Sequence, residues 1–212
     1  MVAIQLLSDG LKEMGLSVNA EMQVKLLAYM TLLQKWNKVY NLTAIREPSE
    51  MVTLHLLDSL SVMPYIKTSN LLDVGSGGGL PGVVLAIVKP DLQVTTIDTV
   101  QKKAIFMRQA KAELGLSNLT VVHNRVENFE AEAKFEAIIS RAFSDLSLFI
   151  RLTSHLITEK GVWLAMKGLV PEAEINALNR KPDEIIPLKV AGLDAQRHLL
   201  IFNNTNIKSM GS

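Results

Sequence analysis

The chain has 212 residues, of which 48% are hydrophobic and 20% are charged, and its formal net charge is +1. This length allows one substantial hydrophobic core with a smaller appendage, and the near-neutral charge predicts that any nucleic-acid site is a local patch. The absence of cysteine excludes disulfides, thiolate zinc sites, iron–sulfur clusters and cysteine nucleophiles. No signal pattern opens the chain and no apolar run approaches the ~18 residues of a spanning helix, so we expect a cytoplasmic protein without membrane contact.

The first 65 residues have a helical pattern. Apolar residues recur at helical spacing through residues 20–40 with lysines between them, which indicates an amphipathic helix packed on a neighbouring surface. A shorter helix is predicted over residues 4–14, and a third from its N-cap Ser49 through Leu60. We therefore expect a helical extension over residues 1–65.

From residue 70 the pattern changes to strands that alternate with helices. Strands are predicted over residues 70–74, 92–97, 119–123, 135–139 and 161–166. Helices are predicted between them, over residues 81–88, 100–114 and 146–157. Two further strands, over residues 184–190 and 198–202, are close enough in sequence to pair antiparallel. The pattern predicts an α/β domain over residues 66–203 with a doubly wound, mostly parallel sheet and an antiparallel C-terminal pair, followed by a polar tail over residues 204–212.

A glycine-rich turn follows the first predicted strand. Residues 70–82 read NLLDVGSGGGLPG, in which an apolar strand reaches Asp73, passes through a run of glycines and leads into an apolar helix. Glycine has no Cβ, so the chain can turn through positive φ and a ligand can lie directly on the backbone. The open N–H groups of the following helical turn can donate to an anionic group. A nucleotide-like cofactor is therefore predicted.

The turn can be read in two registers. Gly77 to Gly82 satisfies the dinucleotide fingerprint G-x-G-x-x-G, which is typical of nicotinamide-dependent oxidoreductases. In that fingerprint the first glycine follows the strand almost at once, whereas Gly77 comes late. The register Asp73-x-Gly75-x-Gly77 is the loop expected for S-adenosyl-L-methionine, and it gives Asp73 a role. The sequence favours the methyl donor and keeps two alternatives, an oxidoreductase and a non-catalytic RNA-binding module.

Residues after the second and third strands complete a nucleoside site. Asp98 ends the second strand 23 residues beyond Gly75, where a ribose-binding carboxylate is expected. Val126 and Glu127 follow the third strand and can receive an adenine ring. Glu127 fits equally well as an acid that opens a helix, where the dipole favours it.

Several segments carry a family resemblance. They are LLQKWNKVYNLTAIREP from Leu32, HLLDSL from His55, LLDVGSGGGLPGVVLAI from Leu71, SRAF from Ser140, MKG from Met166 and RHLLIF from Arg197. In this order they cover nearly the whole chain, and together they resemble the RsmG (GidB) family of bacterial 16S ribosomal RNA guanine-N7 methyltransferases.

The resemblance implies a class I, Rossmann-like methyltransferase fold behind an N-terminal helical extension. It also implies S-adenosyl-L-methionine as cofactor and the N7 atom of a specific guanine in 16S rRNA as target, in naked RNA, in the small subunit or in its precursor. The cofactor contacts that it implies are Gly75, Leu80, Val126, Glu127 and Arg141.

The chemistry of methyl transfer agrees with this target. Methylation of an exocyclic adenine amine usually needs an Asn/Asp-Pro-Pro-aromatic turn, and residues 140–143 read SRAF instead. Methylation at carbon 5 of a pyrimidine generally uses a cysteine. Guanine N7 is already a nucleophile with no proton to lose, so no catalytic base is expected and catalysis can rest on orientation and water exclusion. No metal is expected, because the four histidines are scattered along the chain.

Basic side chains near the strand ends are candidates for RNA contact. Arg125, Arg141 and Lys167 each follow a strand, at the edge where such sheets bind ligands. For Arg141 the cofactor carboxylate, the target guanine and the RNA backbone all remain open, because a guanidinium makes bidentate contacts to each. The predicted RNA contacts are Arg46, His55, Arg125, Lys167 and Arg197. We expect the protein to act as a monomer.

Overall fold

Helices precede the sheet in the computed structural model, which describes residues 2–206 except 142, 144 and 179. They are α1 (Val2–Glu13), α2 (Ala20–Tyr40) and α3, which begins with Pro48–Met51, continues as a π-helix over Val52–Leu57 and ends with Asp58–Leu60. The Asn19 side chain caps α2 by accepting from the Met22 N–H at 2.8 Å. Asn41 ends α2 in the left-handed conformation, with φ 48°. The three predicted N-terminal helices are confirmed, but the predicted N-cap of the third is wrong: α3 begins at Pro48 with Glu47 as its N-cap, so Ser49 lies within the helix.

The rest of the chain forms a seven-stranded sheet with helices on both faces. Its strands are β1 (Asn70–Val74), β2 (Gln93–Asp98), β3 (Leu119–His123), β4 (Phe135–Ser140), β5 (Ile157–Lys167), β6 (Glu184–Pro187) and β7 (His198–Asn203). The helices are α4 (Gly82–Val88), α5 (Gln101–Leu114), α6 (Leu146–Thr153) and α7 (Glu172–Ala177). The strand order is β3-β2-β1-β4-β5-β7-β6; β1 to β5 are parallel, and β7 is antiparallel to both of its neighbours. The predicted doubly wound sheet with an antiparallel C-terminal pair is confirmed.

Alternation along the strands divides the core into two layers. In β1, Leu71 packs with the N-terminal helices, α4 and α5, whereas Leu72 packs on the opposite face with α6. The same alternation separates Leu164 from Trp163 in β5. The N-terminal helices therefore cover one face of the sheet as part of its core.

The structure corrects some predicted boundaries. The helix predicted over residues 146–157 ends at Thr153, and Ile157 instead pairs with Phe135 as the first residue of β5. The exposed polar residues 159–160 interrupt the apolar pattern, so the first half of this strand was not predicted. The strand predicted over residues 184–190 ends at Pro187, and α7 was not predicted because it spans only 6 residues.

The predicted polar tail begins with a short 3₁₀ turn over Asn204–Asn206. Its remaining residues, 207–212, lie outside the described part of the chain. Within the described residues, no helix combines the length and the apolar character needed to cross a membrane.

Candidate functional site

The loop between β1 and α4 follows left-handed backbone at alternate glycines. Gly75, Gly77 and Gly79 have φ of 69°, 60° and 92°, conformations that side chains with a Cβ rarely adopt. The Gly75 N–H donates to the Ile97 carbonyl at 2.9 Å, which ties the start of the loop to β2. Residues 75–79 are here called the glycine loop, and its backbone path favours glycine at positions 75, 77 and 79.

Asp73 joins the end of β1 to the start of α4. The side chain is fully buried, and its Oδ2 atom accepts from the Gly82 N–H at 2.8 Å. The Oδ1 atom is buried without a hydrogen-bond partner among the described residues. Burial raises the pKa of Asp73 to about 7, although the hydrogen bond from Gly82 opposes the shift. The carboxyl group thus braces the loop from within.

A cavity of about 280 Å³ lies beside the glycine loop at the carboxyl ends of β1 to β3. We call it the loop cavity; its lining includes four of the predicted cofactor residues, namely Gly75, Asp98, Val126 and Glu127. The other four, Asp73, Gly77, Leu80 and Arg141, are not part of this lining. Leu80 is buried, with 5% of its surface exposed.

Asp98 is the buried acid of the loop cavity. Its Oδ2 atom accepts from the Gly77 N–H and its Oδ1 atom accepts from the Val100 N–H, both at 2.8 Å. The Lys103 ammonium lies 3.8 Å from Oδ2. A carboxylate offers about four lone-pair positions, so acceptor capacity remains for the two hydroxyls of a ribose.

Val126 and Glu127 form the opposite wall of the loop cavity. Val126 is 6% exposed and supplies apolar surface. The pKa of Glu127 is lowered by the hydrogen bond from its own backbone N–H and by Arg125, whose Nη1 atom lies 3.3 Å from Oε1. Arg125 pairs with this acid at the surface, with 70% of its side chain exposed.

A second cavity of about 440 Å³, here called the arginine cavity, brings together residues from distant parts of the chain. Its lining includes His55, Asp58, Arg141, Lys167 and Arg197. Asp58 is 2% exposed and joins the two arginines: Oδ2 accepts from Arg141 Nη1 at 3.0 Å, and Oδ1 accepts from Arg197 Nε at 2.9 Å. The pair of guanidinium groups with one carboxylate leaves a net positive charge at this cavity.

His55 and Lys167, two further polar residues of the arginine cavity, differ in their charge. Burial, and then Arg141, lowers the pKa of His55 to about 4, so its imidazole is neutral at pH 7. Its Nε2 atom lies 3.0 Å from the Thr43 hydroxyl, and its Nδ1 atom is buried without a partner among the described residues. The Lys167 ammonium donates to the Phe143 carbonyl at 3.0 Å and to Glu174 at 2.9 Å, so it is already neutralised.

One segment of the chain borders both cavities. Arg141 lines the arginine cavity, and Phe143, two residues further along the same segment, lines the loop cavity. A ligand bound at the glycine loop can therefore present a reactive group to a second molecule held among the arginines.

The remaining predicted RNA contact, Arg46, lies apart from both cavities. It lines a groove of about 340 Å³ together with Lys38, and its Nη2 atom donates to Asn41 Oδ1 at 3.0 Å. Ile45, its neighbour in the chain, lines the arginine cavity. Across residues 2–206 without the three omitted positions, no group of three or more His, Asp or Glu residues has the arrangement of a metal site.

Sequence reasoning missed Asp58 and Glu174 as site residues. Asp58 lies within the segment HLLDSL that carries the family resemblance, which was the available signal. For Glu174 no such signal existed, because it lies on the unpredicted helix α7.

Comparison with known proteins identifies close relatives. A family model described as rRNA small subunit methyltransferase G matches residues 22–200. Ribosomal RNA small subunit methyltransferase G of Methylobacillus flagellatus is 63% identical over 196 residues, which cover 92% of this chain and 96% of the relative. The protein of the same name from Aromatoleum aromaticum is 55% identical over 202 residues, with coverage of 92% and 96%.

A solved structure supports the fold independently. The chain resembles 1,6-didemethyltoxoflavin-N1-methyltransferase of Burkholderia thailandensis with a TM-score of 0.55, at 12% identity and with coverage of 83% of this chain and 88% of that one. At this identity the likeness concerns the fold alone. The predicted class I, Rossmann-like methyltransferase fold is confirmed.

Proposed function

The chain belongs to the rRNA small subunit methyltransferase G family, and from this premise we propose that it methylates the N7 atom of a specific guanine in 16S rRNA. It is an rRNA methyltransferase that uses S-adenosyl-L-methionine. The observation that carries the finer proposal is that Arg141 lines the arginine cavity and Phe143, two residues further along the chain, lines the loop cavity.

The residues of the loop cavity fit the nucleoside end of the cofactor. Asp98 retains acceptor capacity for ribose hydroxyls, and Val126 and Glu127 offer apolar and polar contacts for an adenine ring. Gly75, Gly77 and Leu80 shape the backbone against which the amino-acid end lies, with Asp73 bracing them from below. Arg141 faces the neighbouring cavity, where its guanidinium can meet the cofactor carboxylate or the target nucleotide.

Methyl transfer to guanine N7 requires the protein mainly to position the two reactants. When bound, S-adenosyl-L-methionine supplies an electrophilic methyl group on a sulfonium. The lone pair of guanine N7 would accept this methyl group, sulfur would keep the carbon–sulfur bonding electrons, and no proton would leave the base. No side chain is therefore assigned as a catalytic acid or base. The walls of the arginine cavity hold N7 in line and exclude water, an effect that can lower the barrier by about 7 to 11 kcal/mol when orientation is good.

The RNA would reach the arginine cavity from the side of the N-terminal helices. His55, Lys167 and Arg197 line this cavity, and Arg46 lies in a separate groove, next in the chain to Ile45 of the cavity lining. Arg125 lies at the exposed rim of the loop cavity through its contact with Glu127. We assign these five side chains to RNA binding, with Arg197 as the strongest candidate because Asp58 fixes its guanidinium at the cavity wall.

The proposal extends to the organisation and setting of the protein. We assign residues 1–65 to a helical extension, residues 66–203 to the methyltransferase domain and residues 204–212 to a tail. We place the protein in the cytoplasm, as a monomer without membrane contact, acting on naked 16S rRNA or on the small subunit or its precursor. Sedimentation of the purified protein, alone and with subunits, tests the monomer and the substrate form together.

One experiment tests the function directly. The purified protein is incubated with methyl-labelled S-adenosyl-L-methionine and either naked 16S rRNA or small subunits, taken from cells that lack the protein. The expected result is label in one guanine, which mass spectrometry identifies as 7-methylguanosine. Label on another atom would overturn the N7 assignment, and absence of label from both substrates would leave a non-catalytic RNA-binding role.

Calorimetry separates the methyl donor from the oxidoreductase cofactor. We expect saturable binding of S-adenosyl-L-methionine and of S-adenosyl-L-homocysteine, and no binding of NAD. Binding of NAD without binding of S-adenosyl-L-methionine would instead favour a nicotinamide-dependent oxidoreductase.

A further inference from the structure

A tyrosine of the N-terminal extension contacts the glycine loop. Tyr29 lies in the middle of α2 with 0% of its surface exposed. Its hydroxyl donates to the Gly78 carbonyl at 2.5 Å, across 49 residues of sequence. Burial raises the pKa of Tyr29 well above its usual range, so the phenol keeps its proton and remains a donor at every physiological pH.

Side chains from two different elements hold the glycine loop at adjacent residues. Asp98 at the end of β2 accepts from the Gly77 N–H, and Tyr29 on α2 donates to the Gly78 carbonyl. Leu33, one turn after Tyr29, packs against the same glycine, since a Cβ built on Gly78 would lie 3.2 Å from its Cδ1 atom. Helix α2 thus contacts the underside of the loop with one apolar and one polar group.

A loop of this composition needs external support to keep one shape. Fixing the backbone of each residue costs roughly 1 to 2 kcal/mol of conformational free energy, and glycine has the largest freedom to lose. A ligand that had to order the loop would bind more weakly by that amount, whereas a loop that is already ordered binds without this loss.

We propose that Tyr29 is a positioning residue for the cofactor: its hydrogen bond to Gly78 holds the glycine loop in the conformation that binds S-adenosyl-L-methionine. This inference rests on the proposed cofactor site. It gives the N-terminal extension a role in cofactor affinity although α2 does not line the loop cavity.

The competing explanation is that Tyr29 is only a core residue. Its ring packs with Phe106, with ring centroids 6.1 Å apart, and that packing alone accounts for its burial. The two explanations separate at the hydroxyl group, because Tyr29→Phe keeps the ring and removes the donor.

The test uses the full chain with Tyr29→Phe. Calorimetry is expected to give dissociation constants for S-adenosyl-L-methionine and S-adenosyl-L-homocysteine that rise about threefold to tenfold, the range for one lost neutral hydrogen bond. In methyl transfer to 16S rRNA, the KM for the donor should rise while kcat at saturation stays the same. Hydrogen exchange at the amides of residues 77–79 should become faster.

Two control variants isolate the effect. Tyr40→Phe removes a hydroxyl from the exposed end of the same helix, and Leu26→Val trims a buried residue of α2 one turn before Tyr29. Both should leave the affinity for S-adenosyl-L-methionine unchanged, including when Leu26→Val lowers the melting temperature. Incorporation of p-aminophenylalanine at position 29 restores a donor and should restore affinity. If Tyr29→Phe does not fold, 4-fluorophenylalanine at position 29 serves as the test protein, because its fluorine fills part of the space of the hydroxyl without donating a hydrogen bond.

Unchanged cofactor binding by Tyr29→Phe would contradict the proposal. If Tyr29→Phe binds both ligands as the unaltered chain does, with unchanged exchange at the glycine loop, Tyr29 is a packing residue only. Equal loss of affinity in Leu26→Val would lead to the same conclusion. Failure of the unaltered chain to bind S-adenosyl-L-methionine would instead refute the proposed cofactor site, so the two failures are distinguishable.

Discussion

The Asp98 carboxylate accepts a hydrogen bond from the Gly77 N–H at 2.8 Å, so the acid assigned to the ribose also closes the glycine loop. Both roles depend on the same side chain, which is 6% exposed. Asp98→Ala should therefore weaken the binding of S-adenosyl-L-methionine by about 1 to 3 kcal/mol, the cost of a lost charged hydrogen bond. Calorimetry measures this effect.

Two further variants sharpen the test of Asp98. Asp98→Asn keeps one acceptor oxygen and should lie between the alanine variant and the unaltered chain. Asp91→Ala removes an exposed acid just before β2 and should have no effect. An unchanged dissociation constant for Asp98→Ala would count against the ribose role.

We expect Asp58 to hold the side chains of Arg141 and Arg197 in place in the arginine cavity. Asp58→Asn keeps the shape of the side chain but removes the charge shared by Arg141 and Arg197. Because each arginine side chain is about a quarter exposed, we expect a loss of about 1 to 3 kcal/mol in the free energy of unfolding, less than for a fully buried pair. Urea denaturation measures the loss, and methyl transfer should fall with it. Glu21→Gln breaks an exposed pair with Lys25 and serves as control; an equally large loss there would contradict the assignment.

The buried carboxyl of Asp73 predicts a pH dependence of stability. Its pKa is about 7 in the folded chain against an ordinary value of 3.8, so the folded state favours the protonated form. The stabilisation is complete below about pH 4 and is lost as the pH rises towards about 7, because the unfolded chain releases this proton first. The advantage of the unaltered chain over Asp73→Asn should therefore shrink across this window, at most by about 1.4 kcal/mol per pH unit.

His55 does not disturb this comparison. Its pKa is lowered to about 4, which gives the opposite trend, but it is present in both proteins and cancels in the difference. Urea denaturation at several pH values supplies the numbers, with Asp91→Asn as a control whose difference should stay flat. A constant difference for Asp73→Asn would show that Asp73 is ionised in the folded chain.

Gly82 and Gly15 should respond differently to alanine. A Cβ on Gly82 would lie 2.7 Å from Asp73 Oδ2 and 2.7 Å from Thr96 Cγ2, so Gly82→Ala has to displace the start of α4. A Cβ on Gly15 meets nothing within 4 Å, and only its φ of +66° causes strain.

Both substitutions should destabilise the fold by about 1 to 3 kcal/mol. Gly82→Ala alone should also weaken cofactor binding, as measured by calorimetry. A normal affinity in Gly82→Ala would mean that the start of α4 can shift without moving the glycine loop.

Salt dependence tests the groove lined by Lys38 and Arg46. If each cation neutralises an RNA phosphate, Lys38→Gln and Arg46→Gln should each reduce the slope of log K against log salt by about 0.7 to 0.9. Affinity for S-adenosyl-L-methionine should stay the same, and Lys25→Gln, which loses only its surface pair with Glu21, should keep the full slope. Filter binding of 16S rRNA at several salt concentrations provides the measurement; unaltered slopes would place the RNA elsewhere.

The parts of the site that were predicted from the sequence are those with local signals. The glycine loop is recognisable from its composition, and Asp98 is recognisable from its distance in sequence from Gly75. The two arginines of the arginine cavity were candidates, but their common partner was not. Asp58 precedes Arg141 by 83 residues and Arg197 by 139, and only the folded sheet shows that the three side chains meet.

Tyr29 escaped prediction for a different reason. It lies among the apolar residues of an amphipathic helix, where a buried tyrosine is ordinary, and its partner is a backbone carbonyl, which no sequence pattern reveals. The early start of β5 was missed because polar residues 159–160 interrupt the apolar pattern there.

The reversed direction of β7 has a consequence for biosynthesis. Because β7 is antiparallel to β5, His198 pairs with Lys167 and the preceding Arg197 reaches the carboxyl edge of the sheet. A nascent chain that has not yet reached Arg197 already contains the whole glycine loop but only one of the two arginines that Asp58 joins. During translation, which folds chains from the N-terminus onwards, the cofactor loop can thus form early, whereas the arginine cavity is completed only by a late segment of the chain.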